Sequence, residues 1–377
     1  MAGIYIHIPF CKQACTYCDF YFSTSGKMVN ELVAGLIKEI QLQKDYFNHC
    51  ADKTIHTLYF GGGTPSIIQS NHLKQIIEAI GINFTLANDI ELTIEVNPDD
   101  CNAANIKAWQ QMGVNRISCG VQSFFDTDLK FMNRSHNAIE AESSIKRMQD
   151  AGLTNISIDL IYGLPNMTEK SWLSNLNFAK QLDITHLSCY GLTVEEKTVL
   201  AHLVKKQQVK LDEHNAASNF EYLIDWSAQN GFEHYEISNL CKPGFQSKHN
   251  SAYWKGLPYL GIGPSAHSFN GEFRQHNLPN MFSYLKLLSE NKLNAEVENL
   301  SFIEKFHEKI MIGLRLREGI AMSDIQSYFD DKIAKHFNQT LQKHIEKNNI
   351  VIINDNFALT NQGKLLADHI IQDFFVV

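Results

Sequence analysis

The feature that most constrains the fold is a regular alternation over the first 205 or so residues: a short apolar strand, a turn and a helical pattern, repeated. Ile4 to Pro9, Thr57 to Phe60, Asp89 to Val96, Arg116 to Val121, Ile156 to Ile161 and His186 to Tyr190 read as six strands. Helical patterns lie between them at Val29 to Tyr46, Asn71 to Ile80, Ala103 to Met112, Asn137 to Ala151 and Glu169 to Leu182. Strands that alternate with helices pair in parallel and wind right-handed, each helix covering the sheet as it crosses over. Six units are fewer than the eight that close a full barrel. The expected fold class is therefore α/β: an open, partial (β/α)6 barrel of TIM type over residues 1–205. In such architectures reactive groups sit at the carboxyl ends of the strands.

The loop after the first strand carries Cys11, Cys15 and Cys18 in the spacing CxxxCxxC. A cubane iron-sulfur cluster normally takes four cysteines, so a triad leaves one iron to another ligand. A small molecule with an amine and a carboxylate can chelate that iron and receive an electron from it. On a helix the same spacing would place three small hydrophobes on one face, but Pro9 and the alternation of Ile4, Tyr5, Ile6, His7 and Ile8 favour a strand feeding a loop. Cys50, Cys101, Cys119, Cys189 and Cys241 are scattered singly, and a chain this long needs no disulfide staples. The triad resembles the signature of the radical S-adenosylmethionine (SAM) superfamily. That resemblance implies a 4Fe-4S cluster that cleaves SAM to a 5'-deoxyadenosyl radical.

Other strand ends present groups suited to such a ligand. After the second strand, Gly61-Gly62-Gly63-Thr64-Pro65 permits positive φ and close backbone approach; alone it reads equally well as a tight turn, and it resembles the motif that holds the methionyl amine. Glu95 ends the third strand, a carboxylate for the cofactor's amine or ribose, or a solvated strand-end acid. Gln122, at the fourth, offers an amide to sugar hydroxyls. Arg134 offers a charge-assisted contact to the cofactor carboxylate, with a surface arginine as the alternative. Asp159 interrupts an apolar run and so needs a partner, and the backbone beside Gly191 can meet an adenine edge. Taken together, YIHIPFC, GGGTP, TIEVNP, GVQSF and DLIYGLP resemble the oxygen-independent coproporphyrinogen III dehydrogenase branch of the superfamily. This resemblance implies cluster ligands Cys11, Cys15 and Cys18. It also implies cofactor contacts from Tyr5, Tyr17, Gly62, Gly63, Thr64, Glu95, Gln122, Arg134, Asp159 and Gly191, and it assigns no separate catalytic residue.

Beyond residue 205 the alternation stops. Lys205-Lys206-Gln207-Gln208 is a polar link, and 206–299 reads as a connecting α+β segment with an amphipathic helix from about Asp212 to Gln229 and a strand at His234 to Asn239. His249, in Ser247 to Trp254 ahead of Gly256, Gly261 and Gly263, reads as an imidazole on a glycine-rich loop, either a heme-iron ligand with Tyr253 and Trp254 against the macrocycle or an ordinary buried histidine. HNxxYW is similar to the motif marking the HemW family, the heme-chaperone relatives of the dehydrogenase. Residues 300–377 read as a smaller winged-helix-like cap: helices at Phe302 to Leu316, Met322 to Phe329 and Ile333 to Lys347, a strand pair at Ile350 to Ile353 and Phe357 to Leu359, and a final helix.

Composition decides among partners. Lys and Arg total 33 against 41 Asp and Glu, a net charge of −8, which disfavours nucleic acid as a ligand. A run of 18 apolar residues and a secretory leader are both absent, so the expectation is a cytoplasmic protein without a transmembrane segment. Two departures from the dehydrogenase pattern favour the carrier over the decarboxylating enzyme. The dehydrogenase triad continues to CxxxCxxCxC, whereas Phe20 stands two residues after Cys18, and only ten residues precede Cys11. The resemblance thus implies a protein that binds heme and passes it to apoproteins, respiratory enzymes among them, with peripheral membrane contact and a homodimer both compatible.

Overall fold

The computed structural model describes residues 2–376. All six expected strands form: β1 (Ala2–Ile8), β2 (Ile55–Gly62), β3 (Leu86–Val96), β4 (Arg116–Gln122), β5 (Ile156–Tyr162) and β6 (His186–Gly191). They pair in parallel in chain order. The crossovers hold α1 (Val29–Leu42), α2 (Ser70–Asn83), α3 (Ala103–Gln111), α4 (Asp126–Phe131), α5 (Ala138–Asp150) and α6 (Glu169–Gln181). The short α4 falls in a stretch to which the sequence pattern assigns no helix.

Why these strands make a chamber is visible in their two-residue period. One phase is apolar and buried against the helices: Ile4, Ile6 and Ile8 on β1, Leu58 and Phe60 on β2, Leu92, Ile94 and Val96 on β3, Ile156, Ile158 and Leu160 on β5. The opposite phase is polar: Thr57 and Tyr59, Thr93 and Glu95, Arg116 and Ser118, Ser157 and Asp159, His186 and Ser188. Parallel strands covered on both faces by hydrophobic layers read as continuous apolar runs. Here the inner phase is hydrogen-bonding, as a ligand chamber requires.

The sheet continues past both ends of this set. Beside β6 lies β8 (Asn239–Cys241), antiparallel to it, and beyond that β7 (Glu233–Glu236), antiparallel to β8. Beside β1 lies β9 (Tyr259–Ile262), parallel to it, followed by an antiparallel meander of β10 (His267–Phe269), β11 (Arg274–Asn277) and β12 (Ala295–Glu298). The stretch 206–299 therefore contributes strands to both edges of one twelve-stranded sheet. It also carries α8 (Glu213–Gln229), α9 (Lys248–Trp254) and α10 (Met281–Ser289), after α7 (Val199–Lys205). The α9 segment, expected as loop, is a helix because Ser247 caps it: its Oγ accepts from the Asn250 N–H.

The carboxy-terminal part runs α11 (Phe302–Gly313), β13 (Ile320–Ala321), α12 (Met322–Gln326), α13 (Asp331–Glu346), β14 (Ile350–Ile353), β15 (Asn356–Leu359), α14 (Asn361–Leu365) and α15 (Ala367–Asp373). Its antiparallel wing has the order β13-β15-β14. Phe306, Ile310, Phe337, Phe357 and Phe374 form a core distinct from that of the barrel, with Ile237 packed against both.

Candidate cofactor cavity

The Cys11–Phe22 loop is held by backbone bonds from four directions. Ser23 N–H donates to Pro9 O at 2.7 Å and Cys11 N–H to Ser23 O at 3.0 Å, closing the loop on itself. Thr64 N–H reaches Phe10 O at 2.7 Å, Thr16 N–H reaches Met132 O at 3.1 Å, and Leu200 N–H reaches Thr16 O at 2.8 Å. The glycine loop after β2 lies so close that a Cβ on Gly63 would stand 2.6 Å from Phe10 O and 3.0 Å from Cys11 Sγ. Gly62 has φ of +110°, and a Cβ there would meet the His7 ring at 2.7 Å.

These loops and the strand ends enclose a cavity of about 520 Å³. Of the residues singled out in the sequence, Cys11, Cys15, Cys18, Tyr17, Gly62, Gly63, Thr64, Glu95, Gln122, Arg134, Asp159 and Gly191 all line it. Two do not. Tyr5 stacks on Tyr59 with centroids 6.0 Å apart and puts its hydroxyl 3.2 Å from His7 Nδ1. His249 is 2 % exposed, with Nδ1 2.8 Å from Thr57 Oγ1 and Nε2 2.8 Å from the Tyr253 hydroxyl. His249, which the sequence leaves open between a heme-iron ligand and an ordinary buried histidine, has both ring nitrogens in hydrogen bonds and its ring packed among Gly3, Thr57, Tyr59 and Tyr253.

The chemistry of the lining is that of a site for a ligand of mixed charge. Burial pushes the Glu95 carboxyl up to about 7, and repulsion from Asp159 adds to it, against hydrogen bonds from Tyr59 Oη (2.8 Å) and Gly62 N–H (3.1 Å). Burial likewise raises Asp159 to about 6, offset by Ser188, Arg134 and Ser118. Two carboxyls held in one buried site favour a cation between them. Arg134 donates to Cys15 Sγ at 3.3 Å, Asn97 Oδ1 at 2.7 Å and Gly120 O at 2.8 Å, while its Nε has no partner among the described residues. Gln122 takes a left-handed φ of 66°, at the bulge that ends β4, a strained geometry of the kind found at ligand sites.

The three cysteines are free and half-buried, and burial raises the Cys11 thiol to about 11. Among the described residues no three His, Cys, Asp or Glu side chains converge on a single-ion site; a cubane takes each thiolate on a different iron. The donors fit a 4Fe-4S cluster on the cysteines, with an amine near Glu95 and a carboxylate near Arg134. When bound, such a cluster supplies an electron at an iron with an open coordination position. Sequence reading missed Ser118, Asn97 and Tyr190, which also line the cavity. The inward phase of β4 and β6 carries Ser118 and Tyr190, and that signal was available.

Residues 5–179 match the family described as the radical SAM superfamily, and residues 300–366 match the HemN C-terminal domain. In the solved structures, coproporphyrinogen III oxidase (HemN) from Escherichia coli superposes with a TM-score of 0.84 over 100 % of this chain and 90 % of that one, at 22 % identity, a likeness of fold. The protein named heme chaperone HemW in Lactococcus lactis is 33 % identical over 99 % of this chain and 97 % of its own. The heme chaperone HemW of Bacillus subtilis is 33 % identical over 99 % of both. The chain belongs to the HemW family of radical SAM proteins.

Proposed function

We propose that this protein binds heme and hands it to apoproteins, carrying a 4Fe-4S cluster on Cys11, Cys15 and Cys18 and SAM in the adjoining cavity. The observation that carries this reading is the match along nearly the whole chain to proteins named heme chaperones. Phe20 supports it: the side chain two residues after Cys18 is apolar and 68 % exposed, so the loop offers no further sulfur there. Glu95 and Asp159 would hold the cofactor's cationic end, Arg134 its carboxylate, Gln122 its ribose, and the backbone at Gly191 its adenine. No helix among the described residues is long and apolar enough to cross a membrane. We place the protein in the cytoplasm, where eight free cysteines and an oxygen-sensitive cluster remain reduced.

The test is anaerobic. The reconstituted protein is loaded with heme and mixed with an apo form of a b-type heme protein, and transfer is followed by the shift of the Soret band to that of the acceptor. Stoichiometric binding and transfer is the expected result. In a parallel incubation with coproporphyrinogen III, SAM and a reductant, no protoporphyrinogen IX is expected. Its formation would replace the carrier by the oxidative decarboxylase.

A further inference from the structure

The HNxxYW segment lies at the opposite end of the chamber from the cysteine loop. Strand register places Gly3, Thr57 and Glu91 in one layer, and Tyr5, Tyr59 and Thr93 in the next. His249 packs on the first of these layers: a Cβ on Gly3 would meet its Nδ1 at 3.3 Å, and Thr57 is its hydrogen-bond partner. The N–H groups of Lys248 and His249 are fixed by Glu91 at 3.1 and 3.0 Å, so the start of α9 is anchored to β3, the strand that carries Glu95. The His249 ring stacks on Tyr59 with centroids 5.0 Å apart and planes at 24°, and Tyr59 Oη donates to Glu95 Oε1 at 2.8 Å. Glu95 Oε2 in turn accepts from Gly62 N–H in the glycine loop. An unbroken line of contacts thus runs from the motif to the cavity lining, through rigid rings that also pack on further aromatics: Tyr5 lies 6.0 Å from Tyr59, and Tyr253 stands edge-on to His249 at 5.0 Å and to Tyr259 at 4.4 Å.

We infer that the HNxxYW helix is a positioning device for the cofactor cavity: His249 holds Tyr59, and Tyr59 holds Glu95 where it meets SAM, so the motif histidine serves cofactor binding and is not the heme ligand. The inference rests on the assignment of the cavity to SAM. Burial keeps the imidazole neutral, its pKa lowered to about 3, so one nitrogen donates and the other accepts, and the two hydroxyl partners suit either tautomer. The ionisable groups facing Glu95 are Tyr59 on β2, Asp159 on β5, Tyr5 on β1, Tyr190 on β6 and Tyr253 on α9. Of these, the Tyr59 hydroxyl is the one that lowers the Glu95 pKa, by hydrogen bonding to the ionised form. Its removal moves the Glu95 titration upward, and SAM affinity is lost at a higher pH as the carboxylate protonates.

The test uses the reconstituted full chain, with SAM affinity measured by equilibrium dialysis from pH 6 to 9 and heme bound to the same samples followed by its Soret and ligand-field spectra. Tyr59→Phe removes the hydroxyl and keeps the ring. It is expected to weaken SAM binding about tenfold near neutral pH and to move the midpoint of the pH dependence upward. His249→Ala is expected to shift both in the same direction, with heme stoichiometry and spectra unchanged. A changed heme spectrum in His249→Ala with normal SAM binding would overturn the inference, and so would an unmoved midpoint in Tyr59→Phe. Should His249→Ala fail to hold its cluster, Tyr59→Phe still decides. Failure of the wild-type chain to bind heme would count against the carrier reading alone, because the SAM measurements are independent of it.

Discussion

Cys15 stands at the point where two demands on the site meet, since its sulfur is a proposed iron ligand and also accepts from Arg134 at 3.3 Å. Cys15→Ala is expected to abolish the visible absorbance of the anaerobically reconstituted cluster; full absorbance and unchanged iron content would remove this cysteine from the ligand set. Away from the cavity, Glu39 is 1 % exposed and accepts from Gly263 N–H (2.8 Å), Tyr284 Oη (2.6 Å) and Asn277 Nδ2 (2.7 Å), tying α1 to the β9 end and to α10. Burial raises its pKa from 4.5 to about 7 despite these donors. A carboxyl raised in the folded state binds its proton more tightly there than in the unfolded chain. Its contribution to stability is therefore present at acid pH and is lost as pH rises from about 4.5 to 7, on the order of 3 kcal/mol in all. Glu39→Gln should remove that slope: the stability difference between wild type and variant, read from urea midpoints at pH 4.5 and pH 8, shifts against the wild type at the higher pH. Parallel curves would mean that Glu39 does not titrate in this window.

At the scale of elements, two loops from different strands must touch before any cavity exists. The glycine loop after β2 and the cysteine loop after β1 meet backbone to backbone, with Gly63 N–H on Ile8 O at 2.9 Å and Thr64 N–H on Phe10 O at 2.7 Å. Gly63→Ala places a methyl group 2.6 Å from Phe10 O, backbone that cannot swing aside as a side chain can. The expected outcome is a loss of about 1–3 kcal/mol together with lower iron retention, measured by thermal melting and iron content of the same samples. Unchanged melting and iron content would mean that the two loops separate freely. The sequence does not mark α9 as a helix, because His249, Asn250, Tyr253 and Trp254 carry no amphipathic stripe of useful length. Its helicity comes from the Ser247 cap and from Glu91, which binds its first N–H groups from β3.

For the molecule as a whole, the two separate cores lead us to propose that the 300–376 part opens independently of the barrel. Phe337 is fully buried against Phe329, Phe357 and Phe374. Phe337→Ala should cost about 3–5 kcal/mol, and hydrogen exchange should quicken in 300–376 while β1 to β6 stay protected. Equal loss of protection in both would make the chain one cooperative unit. Contacts that cross between them include Arg315 over Trp254 at 5.5 Å, Ile237 N–H to Arg315 O at 3.1 Å, Arg317 N–H to Tyr235 O at 3.0 Å and the Arg274–Glu308 ion pair.

What the sequence by itself determined is whatever depends on near neighbours along the chain. Strand and helix follow from the period of apolar residues, the cysteine loop from Pro9 and the CxxxCxxC spacing, and the wing from two short apolar runs around Asn354 and Asp355. Twelve candidate residues spread from Cys11 to Gly191 converge on one cavity because parallel strands deliver all their carboxyl ends to the same edge, so order along the chain becomes proximity in space. Tertiary structure alone decided which residues of 206–299 join that sheet, β9 beside β1 and β8 beside β6, since strand pairing across such separations leaves no local pattern. It also decided the surroundings of His249. Histidine next to aromatics reads alike as a ligand or as a packed core residue, and only the fold brings Thr57 and Tyr253 to its two ring nitrogens and Tyr59 against its ring.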